Sequence, residues 1–348
     1  RESVVRLYDH EVQGKSVLKP YGGPRGKASQ DAAVLRFGFD TFQGIAVANG
    51  ICPRFGDLDP FAMSASAFDE AIRSIISVGG RLPQVTDDPL DYNFWSANDN
   101  FCVPDSVYHE KNNPDGKEKL GKLVKMCEAL YVVSTYFKIP MTSGKDSMKN
   151  DFVSGSTKIS VPPTVLYSIV AKIQDVRTVV SSEFKSAGDL IYMVGETYEE
   201  LAASELSKLL NLSGGKVPQL RFASAESLYL LMMLAHQKRL LASSHDLSGG
   251  GLSVALSESA FGGGFGANID LTGFDAAPEV ALFAESNSRF LVSIPKENQD
   301  RFEKRMDGRA YFLGTTTSTE RLAISHRGNL LIDLPLAELY HAWQRELV

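Results

Sequence analysis

Cysteine is scarce: Cys52, Cys102 and Cys127 form no CxxC pair and leave nothing from which to build a disulfide framework or a structural zinc site. None of the three suits a nucleophile on a strained elbow. Cys52 precedes Pro53, Cys102 lies in an irregular acidic stretch, and Cys127 falls on the apolar face of a helix, so all three read as structural. The six histidines show no HExxH and no pair on one helix face, and they read as solvated or capping groups. The Walker pattern GxxxxGK[ST] is absent. An excess of positive charge is absent too: 36 Lys and Arg face 42 Asp and Glu, a net charge of -6, which argues against a nucleic-acid partner. The longest apolar run, Leu228 to Ala235, falls far short of the roughly 18 residues that span a bilayer. No charged start with an apolar segment opens the chain, so the expected location is the cytoplasm, away from membranes. The first residue is Arg1, not Met, and the chain is expected to be part of something longer.

What is present is an ordinary globular composition, 43% hydrophobic and 22% charged, at a length that predicts two domains. Residues 1–27, punctuated by Gly14, Pro20, Gly22, Gly23, Pro24 and Gly26, read as a linker-like lead-in. A first domain is expected over 28–175 and a second over 176–348. In the first, strands are predicted at Ala32–Phe37 and Gly44–Ala48. Asp59-Pro60 then opens a helix whose Phe61, Ala65, Phe68, Ile72 and Ile75 share one stripe, and Gly79-Gly80 end it. A second helix is expected over Gly116–Lys138, and Thr164–Ile173 reads as a strand buried on both faces. In the second domain, strands at Leu190–Gly195, Phe290–Ile294, Ala310–Thr315, Leu322–Ser325 and Leu330–Leu334 mix with helices. The expected helices are Glu199–Leu210, Ala225–Leu240, Leu252–Ala260 and one starting at Pro335. The fold class is α/β or α+β.

Two segments have the makings of anion sites. Gly144-Lys145-Asp146-Ser147 combines a flexible backbone, a cation, a carboxylate able to hold hydrated Mg²⁺ and a hydroxyl, so it is either a phosphate loop or an ordinary charged turn. His245 to Gly251 leads into a helix, so Ser248, Gly249, Gly250 and Gly251 are either amide donors at the positive end of the helix dipole or a connector chosen for tight packing. Gly262 to Gly266 needs only a structural explanation. Asp69 precedes Arg73 by four residues and reads as a helix-surface ion pair. Glu70 lies about 200° around the helix from Phe68 and Ile72 and points either to solvent or into a site. The stretch Trp95 to Phe101 is a binding loop or a surface loop.

Several segments together resemble one family. GKDSM (144–148), TKISVPPT (157–164), GGKVP (214–218), HDLSGGGL (245–252) and ESNSRF (285–290), with DHEVQGKSVLKP near the start, occur in this order in formylglycinamide ribonucleotide amidotransferase. That enzyme is also called phosphoribosylformylglycinamidine synthase. The resemblance covers nearly the whole chain but only the second of the family's two homologous synthetase halves. It implies an aminoimidazole ribonucleotide (AIR) synthetase-like fold: an N-terminal sheet domain that pairs with another half, and a C-terminal α/β domain. It implies ATP/ADP and Mg²⁺ as cofactors. The implied partners are the first synthetase half and a glutaminase domain or subunit, with a homodimer through the N-terminal domain when the chain is isolated. Carried over by position, Gly144 is similar to an ATP contact, Lys145 falls where small-type members have a metal-binding Asn, Ser147 matches a substrate-contacting Ser, and Asp87 lies near a further nucleotide contact. Asp31, Glu70 and Asp246 resemble the Mg²⁺ ligands of an auxiliary nucleotide site. Two departures remove ligand capacity there: Ser74 stands for Asn, and Gly249 for the Asp of SDGG. The family's catalytic histidines and glutaminase residues lie outside this half, so the resemblance implies that the chain alone is inactive. The reactive Cys of selenophosphate synthetase, the terminal Cys of hydrogenase maturation protein E and the DGVGTK of AIR synthetase are absent.

Overall fold

The computed structural model describes residues 13–83, 95–155 and 157–344. Strands β1 (Ser16–Leu18), β2 (Tyr21–Gly22), β3 (Ala28–Ser29), β4 (Ala33–Arg36) and β5 (Gly44–Gly50) lead to helix α1 (Pro60–Ser77). Then come β6 (Trp95–Cys102), helix α2 (Gly116–Phe137), β7 (Met141–Ser147), the hairpin β8 (Asp151–Ser154) and β9 (Thr157–Ser160), and β10 (Thr164–Ile173). Six of these strands form one sheet in the order β1-β4-β5-β10-β6-β7, antiparallel except for the β6–β7 pair. The lead-in is therefore not a linker over 16–22. Ser16 pairs with Leu35 and Tyr21 with Ser29, partners distant enough in sequence that local composition does not reveal them. Trp95–Cys102 and Met141–Ser147, read as loop and turn, are strands because parallel pairing with each other satisfies their backbones despite polar side chains.

Helix α1 starts where Asp59 accepts a hydrogen bond from the Ala62 amide at 2.9 Å with Pro60 at the first position. Its apolar stripe packs on β5 and β10. Gly50 of β5 lies so close that a Cβ there would sit 1.8 Å from the Ala67 carbonyl oxygen. Gly50→Ala should push the helix off the sheet and cost about 1–3 kcal/mol; an unchanged urea midpoint would refute that close approach. Strand β10 is not buried on both faces. Val165, Tyr167, Ile169, Ala171 and Ile173 are buried against the helices, while the alternate residues are only partly covered. Cys127, expected on the apolar face of α2, is exposed.

The remaining strands are β11 (Leu190–Val194), β12 (Ser243–Asp246), β13 (Gly266–Asp270), β14 (Phe290–Ile294), β15 (Ala310–Thr317), β16 (Arg321–His326) and β17 (Asn329–Pro335), in the order β12-β14-β11-β15-β13-β16-β17. The helices are α3 (Glu205–Leu209), α4 (Phe222–Gln237), α5 (Gly251–Gly263), α6 (Pro278–Phe283), α7 (Gln299–Met306) and α8 (Leu336–Gln344). In this second sheet β11 and β14 are wholly buried. Leu190, Tyr192 and Val194 face the core shared with α1, whereas Ile191 and Met193 face a second core beneath α5. The helix expected over Glu199–Leu210 is shortened to α3, because Ala203 is left-handed at φ 57° and Ser204 caps the later start through the Ser207 amide.

Helix α1 lies between the two sheets, touching β5 and β10 on one side and β12 and α4 on the other. Residues 62–77 are consequently buried all round, apart from the partly buried Glu70. Polar groups that an amphipathic reading would give to water, namely Ser64, Ser66, Asp69, Arg73, Ser74 and Ser77, are buried between the two sheets and the helices around them.

Candidate functional site

The polar side of α1, the end of β12 and the start of α5 enclose a cavity of about 780 Å³. Asp31, Glu70, Arg73, His245, Asp246 and Ser248 all line it. Asp31 sits just before β4, Asp246 ends β12, and Glu70 and Arg73 project from the middle of α1. The topology thus gathers the three acids expected to hold Mg²⁺, from positions up to 215 residues apart, but not into an open cage.

Both oxygens of Asp31 are occupied. Oδ1 lies 2.5 Å from His245 Nδ1, while Oδ2 accepts from Ser77 Oγ at 2.6 Å and from the Asp246 amide at 2.8 Å. The other imidazole nitrogen, Nε2, lies 2.8 Å from Glu258 Oε2, whose second oxygen accepts from Trp343 Nε1 at 2.6 Å. Asp246 Oδ2 accepts from Arg73 Nε at 3.2 Å, and Arg73 Nη1 donates to Asp69 Oδ2 at 2.8 Å. Asp69 also accepts from the Ser288 amide and from the Tyr229 hydroxyl. The Asp69–Arg73 pair is thus an ion pair of the interior, not of the helix surface, with Asp69 fully buried and Arg73 2% exposed. His245, read as solvated or capping, is a buried bridge between two carboxylates. Glu70 stands apart, accepting from the Ile51 amide at 2.8 Å.

The electrostatics follow from this wiring. Burial opposes charge on His245, but Asp31 and Glu258 outweigh it and hold the imidazole well above its usual range. The same contacts overcome burial on Asp31 and Glu258 and keep both below the ordinary carboxylate range. Both ring nitrogens face carboxylate oxygens, an arrangement that favours the imidazolium. Burial, with the charge of Asp31, drives Asp246 far above its usual value. Burial raises Glu70 as well. One donor atom each from Asp31, His245 and Asp246 lies within 4.8 Å of the others, the spacing a metal centre needs. An imidazole that donates from both nitrogens nevertheless has no lone pair to give a metal, Asp31 already meets three hydrogen-bonding groups, and Asp246 already faces the Arg73 guanidinium. The donor set as arranged does not fit Mg²⁺.

The glycine segment is partly engaged from within. His245 and Asp246, expected in a loop, belong to β12, whose partner β14 lies 44 or more residues away. Ser248 and Gly249 line the cavity. The Gly250 amide, however, donates to Glu285 Oε1 at 2.8 Å, and the Gly251 amide donates to the Ser248 carbonyl at 2.9 Å. Glu285 already supplies the negative charge that the start of α5 attracts. Gly250 and Gly251, at φ 84° and 62°, serve the turn into the helix. The Glu285 loop is held by Arg289, fully buried, which donates to the Ala284 and Ser286 carbonyls and to Thr197 Oγ1. Burial brings that guanidinium down to about 9.

The other expected site lies elsewhere. Gly144, Lys145 and Asp146 are exposed on β7 at the outer edge of the six-stranded sheet, and Ser147 donates to Asn150 Oδ1 at 2.9 Å. Sequence reasoning missed Asp99 of β6. Its register partner is Gly144, its carboxyl lies where a Gly144 Cβ would be, and burial together with the Asp146 charge raises it. The signal was the acidic residue inside Trp95–Phe101. Asp87 lies outside the described residues.

Residues 186–327 match the family model described as AIR synthase related protein, C-terminal domain. The match covers the C-terminal part of the chain. Over its whole length the chain is similar to phosphoribosylformylglycinamidine synthase subunit PurL of Thermoplasma acidophilum, at 29% identity over 349 residues, covering 43% of the relative. The chain thus spans less than half the length of the curated relatives it matches. Among solved structures, Thermotoga maritima PurL complexed with FGAR superposes with a TM-score of 0.68 at 15% identity, covering 92% of this chain and 49% of that one. The ADP complex of the same protein gives 0.66 at 17% identity, covering 92% and 47%.

Proposed function

We propose that this chain is the second synthetase half of a phosphoribosylformylglycinamidine synthase of purine biosynthesis, which joins ammonia nitrogen to formylglycinamide ribonucleotide at the expense of ATP. The observation that carries this reading is the match of the entire chain to less than half of a PurL subunit. The open edge and half-covered outer face of the six-stranded sheet support it, because the Gly144–Ser147 strand forms only one wall of a site. In this reading Lys145 supplies a cation to phosphate oxygens, Asp146 and Asp99 flank it, and Ser147 contacts substrate. The division near residue 175, the pairing with a first half, the homodimer of the isolated chain and the ammonia from a separate glutaminase all belong to this proposal. So does the inactivity of the chain alone.

Complementation tests it. With the first half of a PurL relative, formylglycinamide ribonucleotide, ATP and ammonia added, ADP release should appear that neither half gives alone. Lys145→Ala should reduce it at least about tenfold, the loss of one charge-assisted phosphate contact. Full activity in Lys145→Ala would remove β7 from the site.

A second reading makes this half a pairing scaffold without its own nucleotide, and the occupied start of α5 favours it. Thermal melting with MgADP separates the two roles of the cavity. A ligand that binds only the folded chain at about 100 times its Kd adds about 2.7 kcal/mol, whereas no shift supports the scaffold.

A further inference from the structure

We propose that the cavity between the two sheets is a latent divalent-cation site, closed in this chain because its own His245 and Arg73 occupy the cation positions that Asp31 and Asp246 offer. Asp31 and Asp246 approach closely enough to share an ion: the Asp246 amide donates to Asp31, and His245 Nδ1 lies 2.5 Å from one acid and 3.9 Å from the other. The imidazole is held between them from behind by Glu258, itself anchored by Trp343. Arg73 approaches Asp246 from α1 while tethered to Asp69. Neither cation can swing away without leaving a buried carboxylate short of its counter-charge: the side chains of Asp69 and Glu258 are 0% and 12% exposed. A metal on the remaining lone pairs of Asp31 and Asp246 would lie beside the imidazole and would meet a fixed guanidinium charge.

The inference concerns metal alone and is read without nucleotide or activity, so it stands or falls separately from the proposed enzyme. The probe is Mn²⁺, followed by the electron paramagnetic resonance signal of the free ion. The wild-type chain should leave that signal undiminished. His245→Gln, and separately the charge-matched pair Asp69→Ala with Arg73→Met, should each take up one equivalent and bind Mn²⁺ at least about tenfold more tightly than wild type, since each removes a fixed positive charge beside the acids. Uptake by wild type that Asp246→Asn abolishes overturns the proposal, and so does a folded His245→Gln chain that gains no binding. Should the variants not fold, ¹⁵N spectra of the wild-type His245 ring decide. Two protected N–H signals left sharp by Mn²⁺ support closure, and paramagnetic broadening overturns it.

Discussion

Asp69→Ala is expected to destabilise the chain by about 3–5 kcal/mol, the size seen when one partner of a buried ion pair is removed. Asp69 is the hub of the contact between α1 and the second domain. It accepts from Arg73 Nη1 at 2.8 Å, from the Ser288 amide at 3.1 Å and from the Tyr229 hydroxyl, all within the interior. Alanine leaves those donors unpaired and hands the whole Arg73 charge to Asp246, which burial already drives toward its neutral form. Asp69→Asn should cost less, because an amide oxygen still accepts. Adding Arg73→Met to Asp69→Ala should recover much of the loss, since two apolar groups replace two charges. Urea unfolding midpoints measure all three, and a loss under about 1 kcal/mol for Asp69→Ala would show that the pair does not hold the domains together.

The second large effect is on acid stability. His236 of α4 is 7% exposed, and neither ring nitrogen has a hydrogen-bond partner of good geometry among the described residues. Burial, only partly offset by the nearby Ile76 carbonyl, lowers it from 6.5 to about 4. The folded chain therefore binds this proton less readily than the unfolded chain does. Stability from keeping the ring neutral is fully present above the unfolded value and is lost as pH falls toward the folded one. Between about pH 6.5 and about pH 4 the loss is about 3 kcal/mol. The raised carboxyls of Asp246, Glu70 and Glu285 work in the opposite sense, gaining relative stability as they protonate on acidification, so the comparison must be with a variant. In His236→Leu the pH dependence of the unfolding free energy should flatten by that amount relative to wild type. A gap between the two proteins that stays constant from about pH 7 to about pH 4 would refute the neutral buried imidazole.

The proposed enzymatic role and the closed cavity are compatible. The strand bearing Lys145 is exposed at the edge of its sheet. The interior cavity instead has its charges met from within: Glu285 stands at the start of α5, and His245 and Arg73 stand among the acids. In the proposed reading, a half with this arrangement would contribute one set of contacts to a shared site and keep its own cavity as a structural joint.

Much of the frame was readable from sequence alone, because local rules govern it. Asp59-Pro60 and Gly79 bracket α1, Pro140 limits α2, and the β-branched run of β10 has its observed ends. The spacing of four between Asp69 and Arg73 signalled their pairing, and the ordered motifs pointed to the relatives that the chain matches. Sequence could not tell that the polar side of α1 is buried as well, since that depends on β12 and α4, more than 100 residues away. For the same reason an apparent surface ion pair proved fully buried. Nor could it show that His245 lies on a strand against Asp31, or that Glu285 would reach the Gly250 amide. Strand pairing and charge neutralisation join residues that are neighbours only in space, and the low dielectric of the closed interface turns those neighbours into the groups that decide what the cavity can hold.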